Sequence, residues 1–297
     1  MDILVVGSVA LDTVRTPFGE AVEVLGGSAT YFSVAAGFFA PVKVVGVVGE
    51  DFPEKHLSFL RNRSIDLCGL KRTPGRTFRW VGEYGYDLSE AKTLETQLNV
   101  FADFDPEIPE GYRESEIVFL ANIDPDLQRK VLHQIKGPMS YWIQGRFESL
   151  LETLKEVQIV LINESEVRQL AREANLVRAA RKILSWGPSC LVVKRGEYGA
   201  LMFSDEVWFA APAYPLEDVF DPTGAGDCFA GGFLGYLAQA SDFGESHLRR
   251  AMIMGSVLAS FNVEDFSLNR LRTLTYKEIE ARYQQFRKLA HFEDLSR

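Results

Sequence analysis

Short apolar runs recur along the chain at residues 3–6, 41–48 (broken only by Lys43), 117–120, 159–162 and 191–193. A run of that length without polar alternation marks a strand covered on both faces. The intervals 28–39, 51–63, 125–135, 164–172 and 176–184 instead place apolar residues at helical spacing. Strand and helix thus alternate, which predicts a mainly parallel sheet with helices on both faces and right-handed crossovers. Two stretches break the rhythm. Residues 12–25 and 68–100 lack helical periodicity, and Thr77-Phe78-Arg79-Trp80-Val81-Gly82-Glu83-Tyr84 alternates like a strand with one polar face. They are expected to form a small sheet projecting from the main body. From Asp221 onward the pattern is helical, over about 224–240, 245–261 and 276–289. With no repeat, low-complexity tract or long linker, the expectation is a single domain over residues 1–297 carrying that projection.

Composition narrows the partners. The 297 residues are 46% hydrophobic and 25% charged, ample for a large core, and 41 acids against 32 bases give a net charge of −9. Such a chain has no general attraction to nucleic acid or an anionic membrane, although backbone amides or a cation can still hold phosphate locally. Cys68, Cys190 and Cys228 are sparse and stand in no metal-binding spacing. The apolar start, residues 1–7, is too short for a signal peptide and has no basic region, and no apolar run is long enough to span a bilayer. The sequence reads as that of a soluble cytoplasmic protein.

One segment carries chemistry. Asp221-Pro222-Thr223-Gly224-Ala225-Gly226-Asp227 runs into Cys228-Phe229-Ala230-Gly231-Gly232-Phe233. Small residues at 224–226 let backbone amides point at an anion, and the N-terminus of the following helix adds partial positive charge. A carboxylate at 227 then stands in the first turn beside that anion. In phosphoryl transfer the amides would stabilise charge on the moving group while the carboxylate accepts the proton of the attacking hydroxyl. The residues alone also allow a plainer reading, in which the acid complements the helix dipole and the small residues permit close packing on the sheet.

This segment resembles the signature of the ribokinase family of carbohydrate kinases (the phosphofructokinase-B group), Asp-Thr-x-Gly-Ala-Gly-Asp before a small-residue helix. The resemblance implies a three-layer ribokinase-like α/β fold: a mainly parallel central sheet, helices on both faces, and a small β lid from about 12–25 and 68–100. It implies Asp227 as catalytic base and Gly224, Ala225 and Gly226 as the anion hole. Thr223 would lie near the phosphates, and Asp221 at a monovalent-cation site, K+ being the expected ion. Pro222 replaces the commoner Thr, a change suited to a turn because the φ of proline is already fixed.

Other motifs follow in the order the resemblance requires. Asn163-Glu164-Ser165-Glu166 is a helix capping box in kind. It also resembles the family's Asn-x-x-Glu, which implies that Asn163 and Glu166 hold Mg2+-nucleotide, Glu166 through water. Lys194-Arg195-Gly196-Glu197-Tyr198-Gly199 has the form of a hairpin turn. It is similar to the family's nucleotide-binding turn, which implies ATP contacts at Lys194, Gly196 and Gly199. Near the N-terminus, Gly26-Gly27 and Asp12 match the family's substrate elements, a close backbone approach and a carboxylate that accepts from two hydroxyls. Tyr31 stands where the family often has Asn, which leaves the identity of the sugar open.

The expected activity is therefore an ATP- and Mg2+-dependent transfer of the γ-phosphoryl group to a hydroxyl of a sugar or sugar-like molecule. The alternative within the same resemblance is a nucleoside kinase. Phe78, Trp80, Tyr84 and Tyr86 in the lid would stack on a sugar or base, pack the lid itself, or form a homodimer contact. A non-catalytic nucleotide-binding regulator is disfavoured by the intact base and anion hole. Neither Gly-x-Gly-x-x-Gly nor a P-loop motif is present, which disfavours NAD-dependent oxidoreductases and P-loop enzymes.

Overall fold

The computed structural model describes residues 1–135, 139–141, 147–205, 207–291 and 293. Its first half contains β1 (Ile3–Val6), β2 (Ala10–Thr16), β3 (Gly19–Gly26), α1 (Ser28–Ala36), β4 (Val42–Gly49), α2 (Glu54–Arg61), β5 (Ile65–Thr73), β6 (Phe78–Tyr84), β7 (Ala91–Gln97), β8 (Ile117–Leu120) and α3 (Pro125–Leu132). The second half adds β9 (Met139–Tyr141), α4 (Phe147–Leu154), β10 (Ile159–Asn163), α5 (Glu164–Ala171), α6 (Leu176–Leu184), β11 (Cys190–Lys194), β12 (Ala200–Ser204) and β13 (Trp208–Ala211). Four helices close the chain: α7 (Ala225–Gln239), α8 (Glu245–Asn262), α9 (Asn269–Thr273) and α10 (Tyr276–Leu289).

Nine strands form the main sheet in the order β13-β12-β11-β10-β9-β8-β1-β4-β5. From β5 to β11 every neighbouring pair is parallel, and β12 and β13 extend that edge as an antiparallel hairpin. The apolar runs are explained by two cores. Ile3 and Val5 of β1 point into one, with α1, α7 and α8, while Leu4 and Val6 point into the other, with α3, α5 and α6. Helices therefore cover both faces, as expected. Glycines let α7 wedge between two helices: a Cβ at Gly231 would lie 2.5 Å from the Phe32 carbonyl of α1, and one at Gly232 would lie 2.7 Å from the Met254 carbonyl of α8.

The second sheet is the lid, in the order β3-β2-β6-β7, with β2 and β6 parallel. The expected lid boundaries need one correction. Residues 68–73 belong to β5, which pairs with β4 from Ile65↔Val42 to Thr73↔Gly49 and forms the edge of the main sheet. An edge strand covered on one side alternates buried and exposed positions, so its pattern imitates a lid strand. The chain leaves the main sheet for the lid only after Thr73.

Candidate active site

The C-terminal ends of β1, β10 and β11 open on one side of the sheet, where ligands bind in parallel α/β folds. The turn before α7 comes to the same side. Gly224 caps α7 with φ +77°, a left-handed conformation, and a Cβ there would collide with the ring of Tyr31. The Ala225 amide turns back to the Pro222 carbonyl at 3.1 Å. The first-turn amides of Gly226 and Asp227 have no acceptor within the helix, so they are the donors this terminus offers an anion.

Asp227 stands in that first turn, half-buried, with its Oδ1 buried and making no hydrogen bond. Burial pushes its carboxyl well above the usual carboxylate range. The Lys194 ammonium opposes the shift and the Glu166 charge reinforces it. Lys194 ends β11 with Asn163 of β10 as its strand partner. Burial lowers the Lys194 ammonium against the pull of Glu166 and Asp227. Asn163 caps α5 in a reciprocal capping box: its Oδ1 accepts from the Glu166 amide, and Glu166 Oε2 accepts from the Asn163 amide, both at 2.8 Å. The capping role is thus present, and the cap holds both side chains near Lys194. Gly196 and Gly199 adopt φ +56° and +83° in the β11–β12 turn, where a Cβ at Gly199 would meet the Ala211 carbonyl at 2.1 Å.

Asp221 is fully buried and joins two loops, its oxygens accepting from the amides of Thr223 (2.9 Å) and Ser267 (3.0 Å). Thr223 is held three ways: its amide by Asp221, its carbonyl by Asn262 Nδ2 at 2.8 Å, and its hydroxyl by the Tyr84 phenol of the lid at 3.2 Å. On the opposite wall, Asp12 of β2 is 4% exposed and accepts from the Gly27 amide at 3.3 Å. A Cβ at Gly26 would stand 1.9 Å from its Oδ2. Burial, reinforced by the charges of Asp221 and Asp227, pushes the Asp12 carboxyl up to about 7. The charges of Asp221 and Asp227 are thus felt at Asp12.

Tyr31 takes a place different from the expected one. It is 1% exposed on α1, with its ring against Gly224, so it supports the turn from beneath and has no face for a substrate. Two site residues escaped the sequence reading. Asn262, fully buried at the end of α8, positions Thr223 and accepts from the Cys228 thiol. Its signal was an amide in an otherwise apolar helical stretch. Ser267, which fixes Asp221, carried no signal because it acts through its backbone.

This site joins a half-buried acid, a half-buried helix terminus and a covering sheet. Residues 132–273 match the profile of the pfkB family carbohydrate kinase. A cytidine kinase of Thermococcus kodakarensis is 33% identical over 247 residues, 79% of this chain and 87% of that protein. The chain belongs to the PfkB family of carbohydrate kinases. This PfkB kinase is a phosphotransferase with an alcohol group as acceptor. Solved structures share the fold. A nucleoside kinase of Methanocaldococcus jannaschii superposes with TM-score 0.77 at 20% identity, over 96% of this chain and 98% of that one. A ribokinase II of E. coli in complex with ATP and Mg2+ gives TM-score 0.77 at 19% identity, over 96% and 99%. No helix among the described residues of this PfkB kinase is long and apolar enough to cross a membrane.

Proposed function

We propose that this kinase phosphorylates a hydroxyl on the ribose of a nucleoside, with cytidine as the first substrate to test. The observation that carries the reading is the pairing of Asp12 with Trp80 across β2 and β6. Paired residues on neighbouring strands share a face, so a carboxylate suited to vicinal hydroxyls lies beside an indole. The six-membered ring of Trp80 lies across Gly82, whose Cβ would approach it to 2.0 Å, and Nε1 donates to Thr93. A fixed aromatic plane next to an acid suited to ribose hydroxyls offers a nucleoside a partner for each of its two halves. Asp12, Asp221 and Asp227 also oppose an acceptor that already bears phosphate. The 33% identity to a cytidine kinase points the same way.

In this reading Asp227 takes the proton of the acceptor hydroxyl, and the amides at the start of α7 receive the charge of the transferring group. Lys194 adds positive charge beside Asp227. The residues fit ATP: the turn at Gly224 leaves no room for a side chain beside the free amides of Gly226 and Asp227, while the unpartnered Asp227 oxygen suits the acceptor hydroxyl. ATP supplies the phosphoryl group and Mg2+ neutralises its phosphates. No cluster of three acidic, His or Cys groups able to hold a metal occurs among the described residues. Mg2+ would accordingly be held mainly by phosphate and water, with Asn163 and Glu166 in its outer sphere. A monovalent cation would sit by Asp221, whose second lone pairs are its available ligands, and the measurable sign would be faster turnover with K+ than with a tetraalkylammonium salt. The exposed edge of β3, with Val22 on the strand and Phe18 in the turn before it, is the lid surface a homodimer would use.

The test is ADP release with cytidine, uridine, adenosine, inosine, ribose and fructose. A nucleoside should exceed ribose in kcat/KM by at least about 10-fold, and Trp80→Ala should raise the nucleoside KM by roughly 5- to 150-fold, the range of one base-stacking interaction. Turnover confined to free sugars would overturn the nucleoside reading and leave the kinase itself in place.

A further inference from the structure

The hydroxyl of Tyr84, at the end of lid strand β6, meets the Thr223 hydroxyl of the turn preceding α7 at 3.2 Å. This hydrogen bond runs directly from the lid to the residue that leads into Gly224. Thr223 is also tied to the body, its amide and hydroxyl both acting on Asp221 and its carbonyl on Asn262, so the Tyr84 phenol is the one tie to Thr223 that comes from the lid. Tyr84 shares a face of β6 with Trp80 and, through the β2–β6 register, with Asp12. Any acceptor between Asp12 and Asp227 therefore lies under the same face that carries Tyr84.

We infer that Tyr84 is a positioning residue that couples closure of the lid over the acceptor to the geometry of the anion-binding turn. The inference rests on the reading of that turn as the transfer site. With the lid closed, the phenol holds Thr223 and the turn is fixed on both sides, by Tyr31 beneath and by the lid above. With the lid open, the Thr223 hydroxyl keeps only its tie to Asp221 and the turn is held from the body alone. The consequence is a choice of acceptor. When water attacks instead of the substrate, a new bond forms from the water oxygen to the γ-phosphorus, the bond to the β–γ bridging oxygen breaks, ADP leaves with the electron pair, and the water proton passes to Asp227. A turn completed only by the closed lid favours transfer to the enclosed alcohol over this loss. The phenol suits this role. Burial, with the charges of Asp221 and Asp12 nearby, pushes it up to about 12, so it stays protonated throughout the working pH range.

The experiment is a double-mutant cycle of Tyr84→Phe and Thr223→Val on the full chain, with product formation and acceptor-independent ADP release measured separately. Tyr84→Phe keeps the ring and removes one hydrogen bond. It should lower kcat about 5- to 10-fold, leave the KM for ATP within about 2-fold, and raise the share of ADP formed without phosphorylated product. The double variant should lose no more than about Thr223→Val alone, which removes the Tyr84 contact together with the hydroxyl's tie to Asp221, and Thr223→Ser should restore most of the parent rate. Multiplicative losses, or a Tyr84→Phe enzyme with the parent kcat and the parent ratio of product to ADP, would overturn the coupling. Asp227→Asn is assayed in parallel: an active Asp227→Asn enzyme counts against the transfer site itself, whereas a silent cycle beside an inactive Asp227→Asn enzyme counts against the coupling alone.

Discussion

The Cβ that Gly224 lacks would stand 2.3 Å from the ring of Tyr31. The turn and the helix beneath it are therefore in direct contact, and the turn can keep its left-handed residue at φ +77° only as glycine. Gly224→Ala should cost about 1–3 kcal/mol in stability, from backbone strain and displacement of the ring. It should lower kcat far more, by roughly 100-fold or greater, because the amides at the start of α7 lose their aim. Urea denaturation beside steady-state kinetics separates the two effects. Parallel modest losses in both would mean that the turn is structural only.

Asp227→Asn tests the base. The change is nearly isosteric and removes a group whose ionised form is disfavoured by burial, so the fold and ATP binding should persist. Turnover should fall by about 100- to 10,000-fold. Calorimetric titration with ATP and a melting curve accompany the rate measurement, and a rate within about 10-fold of the parent removes Asp227 from the role.

The pH dependence should carry two ionisations. Both Asp227 and Asp12 are raised by burial, and the proposed mechanism needs both as carboxylates, one to accept a proton and the other to accept hydroxyl donors. Activity is present above their raised values and lost as pH falls through them. In the profile of kcat/KM from about pH 9 to pH 5, the acid limb should begin near neutrality, far above the ordinary carboxylate range, and approach a slope of two. Asp12→Asn should reduce that slope to one. A limb first appearing below about pH 5 would contradict both assignments.

The sheet was legible because its central strands are covered on both faces, leaving runs such as Ile3–Val6 and Ile117–Leu120 with no polar position. Strand β5 was not, since an edge strand and a lid strand share the same one-sided burial. The three-residue β9 and the β12–β13 hairpin are too short or too mixed to give a period. Within the candidate site, the residues that would act through side-chain chemistry, Asp227, Asp12 and the Asn163–Glu166 cap, are the ones that motif and residue type single out. Those that act by packing or through the backbone, Tyr31 under Gly224 and Ser267 on Asp221, could not, because their roles arise only from tertiary contact. Tyr31 illustrates the difference: its position, where the family often has Asn, invited a substrate role, yet its ring packs against Gly224.

The burial of Asp12 should also be visible in stability. Its carboxyl is raised from 3.8 to about 7 on folding, so the folded chain holds this proton more tightly than the unfolded one. A raised value contributes stability that is fully present below pH 3.8 and is lost as pH climbs through 7. Above neutrality the charged, buried Asp12 is a net cost that binding of hydroxyl donors offsets. Asp12→Asn removes that cost and should make the protein more stable at about pH 8 by as much as about 2–4 kcal/mol, with the gain vanishing near pH 4. The same variant should lose about 100-fold or more in kcat/KM for the acceptor, because an amide cannot accept from two hydroxyls on both of its atoms. Urea midpoints at the two pH values decide the matter. A gain equal at both would show that charge burial is not its source, while a loss at the higher pH would show that Asp12 has a stabilising partner beyond the Gly27 amide.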